Sequence, residues 1–169
     1  TGLTWINPSP NMRSLTEALL YPGVGLLETT NVSVGRGTDT PFEVLGAPWI
    51  DGRQLARELN QLQLPGLRFI PIRFTPSASK FQGEDCQGVN LHITRRSALE
   101  PGQLGIELAC TLRRLYPDAW DRKNFDRLLI SREIYDAVAA GKSAGEIHKL
   151  YQPNLDAFER DRQRFFLYQ

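Results

Sequence analysis

Apolar residues recur at every third or fourth position through the second half of the chain, which is the spacing of one face of an α-helix. A helix is predicted over residues 103–116, on a stripe formed by Leu104, Leu108, Leu112 and Leu115. A second helix is predicted over residues 132–140. Ser143 and Glu146 have the spacing of a capping box that starts a third, and Pro153 suits the first turn of a last helical segment. The residues before this series of helices are left for a β-sheet.

Strands are predicted at three places ahead of this series of helices. Apolar and polar side chains alternate over residues 88–94, which is typical of a strand with one buried face. Residues 67–74 predict a second strand, placed at an edge or a bulge because Pro71 has no backbone N–H. Residues 24–28 predict a short buried strand. Strands followed by helices predict an α+β domain with a small mixed or antiparallel sheet and several packed helices, most of them in the C-terminal half.

Two further helices and one long loop complete the predicted organisation. Ser14 and Glu17 have capping-box spacing and begin a helix that ends after Tyr21. Asp51 predicts the N-cap of the other helix. Residues 29–49 show neither helical nor strand periodicity, so an ordered irregular loop is predicted there. Loops longer than roughly 12–15 residues in a compact domain are usually functional or disordered.

Length and composition are those of one globular domain. The chain has 169 residues, of which 41% are hydrophobic and 23% are charged. Twenty lysines and arginines against nineteen acidic residues leave a net charge of +1, so no field that attracts nucleic acid or an anionic membrane is expected. No apolar run approaches the ~20 residues that span a bilayer, so membrane insertion is not expected either.

The cysteine and histidine content argues against a metal site. Cys86 and Cys110 are the two cysteines, and a disulfide and two free thiols are both compatible with the sequence. No Cys-x-x-Cys pair exists, and the two histidines are far apart, so no zinc site is predicted. No other cofactor is predicted.

The richest candidate binding segment is residues 28–38. Gly35 and Gly37 flank Arg36, so the backbone can approach a ligand closely or adopt a positive φ. The guanidinium offers a planar fork of donors that matches a carboxylate. Neutral groups of the kind that bind sugar hydroxyl and acetamido groups are supplied by Asn31, Ser33 and Thr38.

Structural roles are equally compatible with the same residues. Arg36 has three acidic neighbours with which a simple turn would pair it, namely Glu28, Asp39 and Glu43. The segment also lacks the Gly-Lys-Ser/Thr ending of a phosphate-binding loop, so nucleotide binding is not favoured. Lys80 lies in a polar loop between two predicted strands, where it is either an anion contact or a solvent-exposed side chain.

Six segments in a fixed order resemble a known family. They are Ser9-Pro10-Asn11-Met12, Tyr21-Pro22-Gly23, Glu28-Thr29-Thr30-Asn31-Val32-Ser33-Val34-Gly35-Arg36-Gly37-Thr38, Pro41-Phe42-Glu43, Gly46-Ala47-Pro48-Trp49-Ile50 and Phe74-Thr75-Pro76 through Lys80. Together they resemble the carboxy-terminal half of the exo-β-N-acetylmuramidases, long described as a domain of unknown function. The resemblance extends from about Trp5 to Tyr168.

The resemblance implies a two-domain glycosidase. Its amino-terminal domain is Rossmann-like, its active site lies in the cleft between the domains, and it releases N-acetylmuramic acid from the non-reducing ends of peptidoglycan fragments without a metal. The family's catalytic glutamate is placed in a Pro-Glu-His-Gly motif of the amino-terminal domain, and this sequence has no such motif. Residues 1–169 are therefore expected to be a single domain of a longer protein. The domain is expected to hold no catalytic residue and to be inactive alone, because glycoside hydrolysis needs a positioned acid.

The resemblance also implies roles and partners. Arg36 is expected to take the lactyl carboxylate of the sugar, Glu28 to orient Arg36 or bind a sugar hydroxyl, and Asn31 with Ser33 or Thr38 to take amide and hydroxyl groups. The expected substrate-binding set is Glu28, Asn31, Ser33, Gly35, Arg36, Gly37, Thr38 and Lys80. The expected partners are a peptidoglycan-derived saccharide and the Rossmann-like domain, in a bacterial secreted, periplasmic or envelope setting.

Two other functions are compatible with the sequence. One is a peptidoglycan-binding module that acts by itself, and the other is a structural domain that docks onto the Rossmann-like half. The aromatic residues of the tail fit either core packing or such an interface: Phe158, Phe165, Phe166 and Tyr168.

Overall fold

A three-stranded antiparallel sheet and six α-helices make up the fold in the computed structural model, which describes residues 3–167. In chain order the elements are α1 (Leu15–Val24), β1 (Val44–Ala47), α2 (Gly52–Gln61), β2 (Leu67–Phe74), β3 (Cys86–Ile93), α3 (Pro101–Leu115), α4 (Asp126–Leu129), α5 (Arg132–Ala139) and α6 (Ala144–Arg162). The prediction of an α+β domain with a small sheet and a mainly helical C-terminal half is confirmed.

The sheet has the order β1-β3-β2, so β3 lies in the centre with an antiparallel partner on each side. The predicted alternation in β3 is confirmed, since Val89 and Leu91 are buried while His92 is exposed. Strand β2 has the predicted bounds and lies at an edge, where Pro71 pairs with Val89. An edge strand tolerates proline because one side of its backbone has no ladder to complete.

The first helix continues beyond its predicted end. Its capping box is formed as predicted, but the helix includes Pro22, and a 3₁₀ helix at Gly25–Leu27 follows it. The predicted strand over residues 24–28 is therefore wrong. A short apolar run has the same composition in a buried helix and in a buried strand. Packing decides here, because α1 lies against α3 so closely that a Cβ atom on Gly23 would stand 2.3 Å from the carbonyl oxygen of Pro101.

Two other predicted boundaries differ from the structure. The irregular loop predicted over residues 29–49 contains β1, whose four residues are all buried and so show no alternation. Pro153 was expected in a first helical turn, but it lies inside the continuous helix α6. It is exposed there, where water can bond the carbonyl group that its missing N–H leaves free.

Helix α3 is at the centre of the packing, with contacts to α1, α2, α5 and α6. The largest fully buried side chains include Trp120, Phe42 and Phe125. In contrast, the tail residues Phe158, Phe165 and Phe166 are exposed, so they do not belong to the core, and Tyr168 lies outside the described residues. Nowhere in residues 3–167 is a helix both long and apolar enough to cross a membrane.

The two cysteines are free thiols. Cys86 is buried in β3 and Cys110 is half-buried in α3. Burial raises the pKa of Cys86 to about 11, and burial also raises the pKa of Cys110 to about 12. Both side chains are therefore protonated at neutral pH and serve as small packing groups.

Candidate functional site

The turn at residues 33–38 is built by its own polar groups. Ser33 and Gly46 exchange two backbone hydrogen bonds, of 2.8 and 3.0 Å, which attach the turn to β1. The buried Oγ of Ser33 accepts from the backbone N–H of Gly35 at 3.2 Å. Thr38 donates its Oγ1 hydroxyl to the carbonyl oxygen of Gly35 at 2.7 Å. The hydroxyl groups of Ser33 and Thr38 thus fix the shape of the turn.

The two glycines of the turn have the backbone conformation that the sequence predicted. Their φ angles are +82° at Gly35 and +83° at Gly37. Gly37 lies directly against the loop at residues 75–81, and a Cβ atom there would stand 2.3 Å from the carbonyl oxygen of Ala78. Ser77 donates both its backbone N–H and its hydroxyl to the carbonyl oxygen of Gly37, each at 2.8 Å. The close approach at Gly37 is therefore made by the protein's own chain.

Arg36 pairs with Glu28, one of its three acidic neighbours in the sequence. Its guanidinium carbon also lies 5.5 Å from the ring centroid of Phe42, which is a cation–π arrangement. About a third of the Arg36 side chain and a quarter of the Glu28 side chain are exposed to solvent (36% and 25%). The charge of this arginine is thus compensated within the protein, at a half-buried position.

Lys80 is held by backbone carbonyl groups. Its Nζ donates to the carbonyl oxygens of Glu28, at 3.2 Å, and of Thr30. Burial lowers the pKa of this amine, and the carboxylate of Glu28 opposes that shift. The lysine is half-buried, and it fastens the loop at residues 75–81 to the start of the 28–38 segment.

The side chain of Asn31 bonds to a distant part of the chain. Its Nδ2 donates to the carbonyl oxygen of Ala119 at 2.8 Å, and its Oδ1 accepts from the backbone N–H of Asp121 at 2.7 Å. These two residues flank the buried Trp120. The structure brings together Glu28, Arg36 and Lys80, and it brings Gly37 and Thr38 together with the 75–81 loop, while the amide of Asn31 is bonded to residues 119–121.

The substitution Asn31→Ala is expected to lower the free energy of unfolding by about 1–2 kcal/mol. It removes the two hydrogen bonds that join the Asn31 side chain to the backbone of residues 119–121. Urea unfolding monitored by tryptophan fluorescence measures the effect. Asn11→Ala is the matched control, since among residues 3–167 the Asn11 side chain makes no hydrogen bond. Equal stability of the two variants would contradict the role of Asn31.

Three of the six resembling segments meet at one surface depression of about 580 Å³, here called the Thr38 cleft. Arg13 stands at its edge and donates from Nη2 to the carbonyl oxygen of Thr38 at 2.6 Å. The cleft is lined by Pro10, Asn11, Arg13, Gly37, Thr38, Asp39, Phe74, Thr75, Ser77 and Ala78. Sequence reasoning did not select Asn11, Arg13, Thr75 or Ser77, although three of them lie within resembling segments and Arg13 directly follows one.

Larger depressions lie elsewhere on the surface. A groove of about 800 Å³ runs beside Trp49, Arg53 and Arg73, and one of about 1030 Å³ lies between α1, α3 and α6. Volume alone does not select a binding site. The Thr38 cleft combines backbone carbonyl groups, three hydroxyl side chains, an amide and a guanidinium around one concave surface, which is the mixture of donors and acceptors that a sugar needs.

Two carboxylates lie near the start of α1, outside the lining of the cleft. Glu17 is buried and accepts from the backbone N–H of Ser14 at 3.2 Å, as the second half of the capping box. Glu43 accepts from the hydroxyl of Ser14 at 3.3 Å. Burial raises the pKa of Glu43, and the charge of Glu17 adds to that effect. Both carboxylates are thereby engaged in holding the N-terminus of α1.

Residues 141–145 spell Gly-Lys-Ser-Ala-Gly, which matches the Gly-x-Ser-x-Gly pattern of many serine hydrolases. In those enzymes the serine stands on a sharp turn between a strand and a helix. Here Ser143 caps α6 after α5, and its hydroxyl donates to the carboxylate of Glu146 at 2.6 Å. The serine has a structural role, and the pattern does not mark a nucleophile.

No cluster of three or more histidine, cysteine, aspartate or glutamate side chains able to hold a metal ion occurs within residues 3–167. His148 contacts Tyr151, with 2.9 Å between Nδ1 and the phenol oxygen. The side chains that line the Thr38 cleft carry hydroxyl and amide groups, the guanidinium of Arg13 and the carboxylate of Asp39, so they can form hydrogen bonds and charge pairs.

Comparisons with known proteins show the family of this chain. The family profile described as "Exo-beta-N-acetylmuramidase NamZ, C-terminal" matches residues 19–168. The chain is 38% identical over 171 aligned residues to the peptidoglycan beta-N-acetylmuramidase NamZ of Bacillus subtilis (strain 168), covering 99% of this chain and 41% of that protein. The chain thus spans less than half the length of this relative.

Solved structures show the same fold. One DUF1343 family protein of Bacteroides fragilis superimposes with a TM-score of 0.89 at 31% sequence identity, over 99% of this chain and 46% of that one. A second DUF1343 family protein of the same species gives a TM-score of 0.70 at 28% identity, over 97% and 44% of the two chains. From the profile match over most of its length, the chain belongs to the carboxy-terminal domain family of the exo-β-N-acetylmuramidases.

Proposed function

We propose that this chain forms one wall of the substrate cleft of a peptidoglycan glycosidase that releases N-acetylmuramic acid from the non-reducing ends of glycan fragments. The observation that carries the proposal is the meeting of three separate family segments at the Thr38 cleft. The activity named for the Bacillus subtilis relative supports the substrate class. A secreted, periplasmic or envelope setting in a bacterium follows from that substrate.

A second domain completes the active site in this proposal. The chain covers 41% of the length of its relative, which supports a further domain in the whole protein. The domain proposed to supply the rest is Rossmann-like and holds the catalytic acid. Glycosidases place a carboxylic acid beside the scissile bond, and the carboxylates Glu17 and Glu43 are engaged at the start of α1.

The residues of the 28–38 segment divide into two groups in the proposal. Gly37 and Thr38 face the saccharide together with Asn11, Thr75 and Ser77, whose amide and hydroxyl groups suit sugar hydroxyl and acetamido groups. The other residues act from behind the cleft, because they do not line it and their side chains or backbone groups bond within the protein: Glu28, Asn31, Ser33, Gly35, Arg36 and Lys80. The ion pair of Arg36 keeps the turn at Thr38 in place.

Release of a chromogenic aglycone from an N-acetylmuramic acid β-glycoside tests the proposal. The chain is assayed alone, and again with the amino-terminal domain of the relative supplied as a separate polypeptide. No release by the chain alone and release on mixing is the expected result. Turnover by the chain alone would mean that the catalytic acid lies within its 169 residues. Tight saccharide binding by the chain alone, with no gain on mixing, would instead favour an independent glycan-binding module.

Arg36→Ala is expected to lower kcat/KM in the mixed assay by about tenfold while changing the free energy of unfolding by less than about 1 kcal/mol, because ion pairs that solvent still reaches contribute little to stability. Loss of the pair with Glu28 and of the contact with Phe42 frees the turn that presents Thr38. Arg132→Ala is the control, since its pair with Asp136 lies on the surface of α5. Unchanged kcat/KM in Arg36→Ala would contradict the positioning role.

A further inference from the structure

We infer that Arg13 recognises the carboxylate of the saccharide and so selects N-acetylmuramic acid over uncharged N-acetylhexosamines. The inference rests on the proposed function, since it assigns a ligand group to the Thr38 cleft. N-acetylmuramic acid differs from N-acetylglucosamine by a lactyl ether whose carboxylate is charged at neutral pH. A cation within reach of that carboxylate therefore favours N-acetylmuramic acid over the uncharged sugar.

The position of Arg13 is fixed at both ends of the residue. Its backbone N–H donates to the buried carboxylate of Glu17 at the start of α1. Its Nη2 donates to the carbonyl oxygen of Thr38 at 2.6 Å. The guanidinium is thus held at the edge of the Thr38 cleft before a ligand arrives, and little side-chain entropy is lost when an anion binds.

The charge of Arg13 is only partly compensated. Its nearest carboxylate is that of Asp39, with 3.9 Å between Nη1 and Oδ1, and the Asp39 side chain is fully exposed. This distance is too long for a hydrogen bond. The Arg13 side chain is itself 37% exposed. A guanidinium has five N–H donors, so the bond to Thr38 leaves donors for a two-point contact with a carboxylate.

The other cations near the turn are engaged elsewhere. Arg36 pairs with Glu28 and lies over Phe42, and Lys80 bonds two backbone carbonyl groups. Among the described residues that line the Thr38 cleft, Arg13 is the one cation. The carboxylate that the sequence assigned to Arg36 is therefore reassigned to Arg13.

The neutral lining of the cleft fits the rest of the same sugar. Asn11, Thr75 and Ser77 place amide and hydroxyl groups beside the guanidinium, and the ring of Phe74 adds an apolar surface. Asp39 stands at the rim, where its charge opposes an anion and weakens the attraction of Arg13. The geometry predicts opposite effects for the two charged residues: removing Arg13 weakens binding of the acidic sugar, and removing Asp39 strengthens it.

Titration of the ¹⁵N-labelled chain with N-acetylmuramic acid and with N-acetylglucosamine, followed by NMR chemical shifts, tests the inference. The expected result is weaker binding of N-acetylglucosamine, with shifts at Thr38 and Ser77 for both sugars. Arg13→Gln should lower the affinity for N-acetylmuramic acid by about tenfold, the size of one charge-assisted contact at a part-exposed site, and leave that for N-acetylglucosamine unchanged. Arg13→Lys should retain part of the preference, and Asp39→Asn should increase it.

Each other outcome overturns the assignment. Equal affinity of the unsubstituted chain for the two sugars, or a preference that survives Arg13→Gln, would remove Arg13 as the selecting residue while leaving saccharide binding at the cleft intact. Loss of the preference in Arg36→Gln instead would return the role to Arg36. Absence of binding of either sugar would also overturn the inference for this chain, while aglycone release on mixing with the second domain decides the proposed function separately. Thermal unfolding of each variant shows that the comparison is made between folded proteins.

Discussion

Replacing Gly37 with alanine should destabilise the domain by about 3 kcal/mol or more and abolish the Thr38 cleft. The residue has a φ of +83°, where an L side chain costs roughly 1–2 kcal/mol. In addition, the new Cβ atom would stand 2.3 Å from the carbonyl oxygen of Ala78 and 2.6 Å from its backbone nitrogen. Backbone atoms cannot move aside by a change of rotamer, so the two loops must separate. The two hydrogen bonds from Ser77 to the Gly37 carbonyl are then lost.

Urea unfolding measures the loss of stability, and Gly83→Ala is the matched control. Gly83 has a φ of +76°, but a Cβ atom there would have no neighbour within 4 Å. The loss of stability in Gly83→Ala thus measures the backbone strain alone, which is expected to cost about 1 kcal/mol. The additional loss in Gly37→Ala measures the steric clash between the two loops. If both variants lose the same stability, the contact between Gly37 and Ala78 does not exist as described. Saccharide binding should survive in Gly83→Ala and disappear in Gly37→Ala.

Periodicity in the sequence was sufficient for the elements with one buried and one exposed face. Helix α3 and strand β3 were found because their buried residues, such as Leu108 and Val89, recur at the spacing of the element. Strand β1 was missed because all four of its residues are buried, which removes the alternation. Residues 24–28 were assigned to a strand because their role is decided by contact with α3, which lies far away in the sequence.

The sequence identified the segment that forms the candidate site, but it did not identify the role of each residue in that segment. Positive φ at Gly35 and Gly37 followed from residue type, since glycine accepts that conformation without steric cost. The hydrogen bonds of the Asn31 side chain could not be predicted from the sequence, because its partners Ala119 and Asp121 lie in the other half of the chain. Arg13 was not selected because it lies just outside the resembling segment that ends at Met12 and belongs to no binding pattern of its own. Its importance comes from folding, which places it against the carbonyl group of Thr38.

The Thr38 cleft depends on the sheet behind it. The turn at residues 33–38 is attached to β1 through the paired hydrogen bonds of Ser33 and Gly46. Gly46 in turn stands opposite Gly88 in the antiparallel pair of β1 and β3. A change in the centre of the sheet is therefore transmitted to the candidate site through this short strand, and folding and saccharide binding should be lost together.

Gly88→Ala is the change expected to have the largest effect, about 4 kcal/mol or more, which is a large part of the roughly 5–15 kcal/mol by which single domains are stable. A Cβ atom at this position would stand 1.9 Å from the carbonyl oxygen of Leu45 and 2.6 Å from the Cα atom of Gly46. Gly52 approaches from the start of α2, since a Cβ atom on it would lie 2.6 Å from the carbonyl oxygen of Gly88. Strand β3 is central, so it cannot move away from β1 without disturbing β2.

Soluble expression, far-ultraviolet circular dichroism and urea unfolding measure the effect of Gly88→Ala. The control is Gly102→Ala in the first turn of α3, where a Cβ atom would meet nothing within 4 Å. Alanine is favoured over glycine in helices by about 1 kcal/mol, so this variant should be as stable as the parent or slightly more stable. A Gly88→Ala protein with an unchanged free energy of unfolding would show that β1 and β3 are not paired in this register. In that case the attachment of the Thr38 cleft to the sheet would also be wrong as described, because Gly46 would not lie between Ser33 and Gly88.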